Sequence, residues 1–79
     1  MEIDHDKIDD TVLALLHLTS FTDHDAVRAW KGHDWDALNR LHEKGMISDP
    51  RRKTKSVILS DEGATRADAL FYQMFQKTA

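Results

Sequence analysis

The chain contains no cysteine. That excludes disulfide staples and thiolate metal sites, and it suits a reducing compartment. A single proline and three glycines are too few for a disordered or linker-rich chain. No apolar run approaches the roughly 18 residues that a membrane span requires, so no membrane association is expected. The first residues, Met1-Glu2-Ile3-Asp4, are acidic where an export signal is basic. A cytoplasmic location is expected on these grounds. Positive charge is also in deficit: 14 acidic residues against 11 basic ones leave a net charge of −3. That balance argues against a general polyanion binder.

What is present is a short chain of 79 residues, 41% hydrophobic and 32% charged. This is the composition of a single globular domain near the lower size limit for a self-sufficient core. A core of that size leaves a net stability on the order of 3–5 kcal/mol. Pairing with a second copy is a common remedy. The charge is unevenly placed. Residues 1–36 carry nine acids against three bases, and residues 37–79 carry five against eight. The bases concentrate at Arg51, Arg52, Lys53 and Lys55.

Periodicity and punctuation predict the order helix-helix-helix-hairpin-helix, a mainly helical fold with a small β-hairpin. The first helix runs from about Asp4 to Leu18, with Ile8, Val12, Leu15 and Leu16 at helical spacing. Asp4, Asp6, Asp9 and Asp10 sit in its first turns, where acids complement the helix dipole. Thr22 or Asp23 then caps a short second helix to Trp30, with Ala26, Val27 and Trp30 on its buried side and Gly32 beyond its end. A third helix spans Asp34 to about Lys44, with Trp35 packing inward beside Leu38 and Gly45 as its stop. Met46–Asp49 and Ser56–Leu59 flank the polar, basic turn 50–55 and read as a hairpin with a mobile tip. Ser60 caps the last helix, with Asp61 and Glu62 in its first turn. Gly63 suggests that a strand backbone passes close by.

The sequence offers no arrangement of residues typical of an enzyme. His5-Asp6, His24-Asp25 and His33-Asp34 pair the residue types of a metal ligand unit, but they lie on three separate segments. They read as surface residues at helix starts. No two histidines stand at i and i+4 with a glutamate, and no glycine-rich phosphate loop occurs. Ser20, Ser48, Ser56 and Ser60 lack a base and an orienting group. His17 reads as a boundary residue. The expectation is therefore a protein without catalytic residues, metal or cofactor.

The run Leu38-Asn39-Arg40-Leu41-His42-Glu43-Lys44-Gly45-Met46-Ile47, followed by Ser56-Val57-Ile58-Leu59-Ser60-Asp61-Glu62-Gly63, resembles bacterial winged-helix regulators. Residues 30–38 and the opening Ile3–Asp10 resemble a small bacterial family of unknown function, which has no activity to transfer. The winged-helix resemblance implies a DNA-binding regulator. Arg51, Arg52, Lys53 and Lys55 would hold phosphates from the wing, and Asn39, Arg40 and Lys44 would approach the groove of duplex DNA. Asp34 and Asp36 depart from that pattern, since two carboxylates at the start of the third helix would face phosphates. Their other reading is capping and dipole complement. The second functional reading is a protein-interaction module of the same shape, without nucleic-acid binding. Leu70, Phe71, Met74 and Phe75 span too wide an arc for one core-facing stripe, so part of the last helix is expected to form a homodimer seam.

Overall fold

The computed structural model describes residues 1–77. Its elements are α1 (His5–Leu18), β1 (Phe21–Asp23), β2 (Ala26–Trp30), α2 (Trp35–Glu43), β3 (Ser56–Ile58) and α3 (Asp61–Phe75). The three helices and a three-stranded antiparallel sheet of order β1-β2-β3 form a small α+β domain.

The helices start and stop where local chemistry dictates. Asp4 accepts from the Lys7 amide at 3.0 Å, Asp34 from Ala37 at 3.1 Å and Ser60 from Gly63 at 2.9 Å. Each satisfies an N–H that has no partner within its helix. Gly45, at φ 79°, ends α2. Its amide donates to the His42 carbonyl and that of Met46 to the Leu41 carbonyl, both at 3.0 Å. This is the double bond pattern of a Schellman cap.

The segment expected as a second helix is instead the hairpin β1–β2. Phe21 pairs with Arg28, Thr22 with Val27 and Asp23 with Ala26. The two-residue turn is His24-Asp25, with both φ values positive, 50° and 64°. That is the backbone a tight hairpin turn needs to match strand twist. Histidine and aspartate enter this left-handed region more readily than most residues. Along β2 the buried Ala29 and half-buried Val27 face the core with period two. Ala26, Val27 and Trp30 fit a helical stripe equally well in so short a run, and pairing with β3 decided between the two. Asp25→Gly should relieve the left-handed strain and stabilise the domain by about 0.5–1 kcal/mol. Thermal unfolding followed by circular dichroism should show a rise of a few degrees. A fall in melting temperature would contradict this turn.

The hairpin expected between Met46–Asp49 and Ser56–Leu59 contracts to a single bridge, Ile47 with Leu59. Beyond it the Ser48 hydroxyl accepts from the Ile58 amide at 2.9 Å, in place of a strand carbonyl. Pro50 has no amide to extend the ladder. The other edge of β3 joins β2, with Ala29 opposite Val57 and Trp30 opposite Ser56.

The core gathers Leu13 and Leu16 of α1, Leu38 and Leu41 of α2, Ala29, Ile47, Val57 and Leu59 around the sheet, and Ala67 and Leu70 of α3. The apolar stripe of α1 is rotated from its expected setting. Ile8 is exposed and Asp9 is fully buried, because α1 packs against α2 and α3 together.

Candidate nucleic-acid interface

Asp9 is the buried charged residue among the described residues, and it determines which cations remain available. Arg40 Nε donates to both of its oxygens at 2.9 Å, and Lys44 Nζ donates to Asp9 Oδ2 at 2.8 Å and to Asp6 at 2.9 Å. Burial alone would raise the Asp9 pKa. The hydrogen bonds and charges of Arg40 and Lys44 outweigh that cost and hold it below its ordinary value. The same contacts raise the pKa values of Arg40 and Lys44. Arg40 and Lys44, read from the sequence as groove contacts, thus point to the acids of α1. Asn39 is half-buried on α2. The end of α2 expected to meet DNA presents Asp34, engaged as its cap, and an exposed Asp36.

The basic loop is better placed. Arg51 to Lys55 are all exposed. Arg51 folds back on Asp49, its Nε and backbone amide meeting Oδ1 at 3.1 and 2.9 Å. That pair lowers the Asp49 pKa and raises that of Arg51. Arg52, Lys53 and Lys55 have no ion-pair partner among the described residues. The loop expected to be mobile is tethered. Lys31 Nζ donates to the Pro50 carbonyl at 2.8 Å and the Arg52 carbonyl at 2.5 Å, and the Lys31 amide donates to the Lys55 carbonyl at 3.2 Å. Pro50 itself is buried. One side chain therefore fixes the path of the segment that carries the free cations.

Aromatic rings border this loop. Lys31 Nζ lies 5.7 Å from the Trp35 ring centroid, within cation–π range. Trp35, expected to pack inward, is 51% exposed, and Trp30, expected to be buried, is 55% exposed. Phe21 lies on the same sheet face as Trp30, their centroids 5.2 Å apart. Arg28 shares that face. It donates to Ser56 Oγ at 3.3 Å, and its buried Nε, which has no hydrogen-bond partner among the described residues, lies 3.8 Å from the Asp23 carboxylate. Both tryptophans thus depart from the inward packing expected of them.

The expected seam on α3 divides. Leu70 belongs to the core and Phe71 packs partly against it, its ring 5.1 Å from that of His17. Met74 and Phe75 are exposed, as are Leu18 and Tyr72. His17 also lies 3.4 Å from Asp68, so it sits at the α1–α3 boundary. Among the described residues, no group of three or more His, Asp or Glu side chains gathers around a common point. None of the helices is long and apolar enough to cross a membrane.

No solved structure matches the chain. A relative named "Uncharacterized protein y4hR", from Sinorhizobium fredii (strain NBRC 101917 / NGR234), is 54% identical over 77 residues, which cover 98% of this chain and all of the relative. A family model described as a domain of unknown function, DUF6429, matches residues 4–77. The chain therefore belongs to the DUF6429 family.

Proposed function

We propose that the protein is a non-enzymatic nucleic-acid-binding module that holds phosphates with loop 49–55 and does not use α2 as a recognition helix. The observation that carries this reading is the set Arg52, Lys53 and Lys55, exposed, unpaired among the described residues and borne on a loop anchored by Lys31. The winged-helix regulator anticipated from the sequence would need cations on α2, and Arg40 and Lys44 are occupied by Asp9. Three neutralised phosphates should give a log–log salt dependence of about −2.7 on a duplex or about −2 on a single strand. Replacing Arg52, Lys53 and Lys55 together by Ala should flatten that slope and remove most of the affinity. Fluorescence anisotropy at several salt concentrations measures both. No binding to either form at low salt would overturn the reading.

A second reading, a protein-interaction module that includes self-association, draws on a different surface. α1 and α3 run side by side in the same sense, with Arg66 beside Asp10 and His17 beside Phe71. Their C-terminal ends together expose Leu18, Tyr72, Met74 and Phe75, the kind of clustered apolar surface that marks contact sites. Light scattering at rising concentration should show a mass above 9.1 kDa. A constant monomer mass would remove the homodimer from this reading.

A further inference from the structure

We infer that the edge formed by Trp30, Phe21, Trp35 and the basic loop is a binding site for single-stranded nucleic acid, with bases stacked on the indoles and phosphates held by Arg52, Lys53 and Lys55. The inference rests on the nucleic-acid reading above and goes further by selecting the form of the ligand.

The chain has two tryptophans, and both are about half in water. Burying them would add more apolar contact than almost any other residue offers to so small a core. Instead the fold presents them around one cation-bearing segment. Trp30 stands opposite Ser56 at the end of β2, one residue from Lys55. Trp35 lies against Lys31, whose ammonium is bonded to the carbonyls of Pro50 and Arg52. Phe21 backs Trp30 at a tilt of 37°. Arg28 shares the same sheet face, half-buried and 3.8 Å from the Asp23 carboxylate, so its charge is already paired and the phosphates fall to the loop cations.

A ligand that satisfies this edge must offer flat π-faces and a negative charge at regular short intervals. A single strand offers both. In a duplex the base faces are already stacked on one another, so a duplex engages the cations and leaves the indoles unused. A protein segment with acidic and aromatic side chains is the alternative occupant, and the test below separates it.

Because each of the two tryptophans is half exposed and lies next to a residue that meets the loop, Trp30 opposite Ser56 and Trp35 against Lys31, the unmodified protein reports on its own site. Its tryptophan emission should be titrated at low salt with short oligo-dT, oligo-dA and their annealed duplex. Single strands are expected to quench the emission and to bind at least about fivefold more tightly than the duplex. Trp30→Ala and Trp35→Ala should each weaken single-strand binding about five- to a hundredfold, the loss associated with one stacked base, and leave duplex binding unchanged. Trp30→Phe and Trp35→Phe should retain most of the affinity, which separates stacking from a general structural role. Circular dichroism identifies any variant that fails to fold, and the wild-type titration stands without variants. Equal affinity for single strand and duplex, with no change on removing either indole, would overturn this inference and leave phosphate binding by the loop intact. Absence of binding to either form would overturn both readings, and the edge would then fall to a protein partner.

Discussion

Asp9→Ala is expected to remove most of the domain's stability at room temperature. The carboxylate is fully buried and receives Arg40 and Lys44 at 2.7–2.9 Å. Removing one partner of a buried ion pair costs about 3–5 kcal/mol, because the remaining charge loses its compensation. Arg40 and Lys44 keep 27% and 38% of their side-chain surface in contact with solvent, so water rescues part of that loss. The lower end, about 3 kcal/mol, is the better expectation. Even that approaches the whole stability of a domain of this size, on the order of 3–5 kcal/mol. Asp9→Asn keeps one acceptor and should fall between the two. Urea unfolding monitored by circular dichroism measures all three proteins. A loss under about 1 kcal/mol for Asp9→Ala would show that the pair is only a surface-type contact.

The same network predicts a pH dependence whose sign follows from the direction of the shift. The Asp9 pKa is lowered in the folded state. Its stabilising contribution is therefore complete above the ordinary aspartate value of about 3.9 and is lost as pH falls through the lower folded value. Wild type should lose stability in acid below about pH 4, and the gap between wild type and Asp9→Asn should narrow there. The substitution also bears on function. It frees Arg40 and Lys44 of their strongest partner, so a folded Asp9→Asn protein that binds nucleic acid more tightly would show that α2 is a latent contact surface.

Gly63→Ala is the second large effect. A β-carbon at this position would fall on the backbone carbonyl of Met46, well inside contact distance. That carbonyl cannot swing aside freely, because it accepts from the Ser60 amide at 2.9 Å and lies 3.3 Å from the Ser60 hydroxyl. Ser60 in turn caps α3 and donates to the Gly45 carbonyl at 2.6 Å. Alanine is the better helix former by about 1 kcal/mol, but overpacking against fixed backbone costs about 1–3 kcal/mol or more. Since backbone is displaced and not a flexible side chain, the cost should prevail, with a net loss of about 2 kcal/mol. Thermal unfolding would show a drop of roughly ten degrees. An unchanged or higher midpoint would mean that α3 is not seated on this turn.

While the further helix it predicted up to Trp30 is strand, the sequence alone determined the three helices that form and their capped ends. Each of those features depends on residues within a few positions: a side-chain oxygen three residues before an amide at Asp4, Asp34 and Ser60, and a glycine at the residue after the last turn of α2. Local chemistry acts on local geometry, so it is legible in a linear reading. Exposure of Arg51, Arg52, Lys53 and Lys55 was legible for the same reason, since a run of cations has nowhere to go but solvent. Tertiary structure decided the rest. Residues 21–30 became a hairpin because β2 could pair with β3, whose residues lie nearly 30 positions later. The weak local signal, two left-handed-tolerant residues at His24 and Asp25, gave no hint of that distant partner. Arg40 and Lys44 turned to Asp9, 31 and 35 positions away, because a buried carboxylate draws in whatever cations packing brings within reach. Trp30 and Trp35 turned outward because Ala29 and Leu38 on their own segments, with Val57 across the sheet, already filled the core. Which large apolar residues a small core takes in is a matter of volume shared among all its elements, and no stretch of the chain encodes that alone.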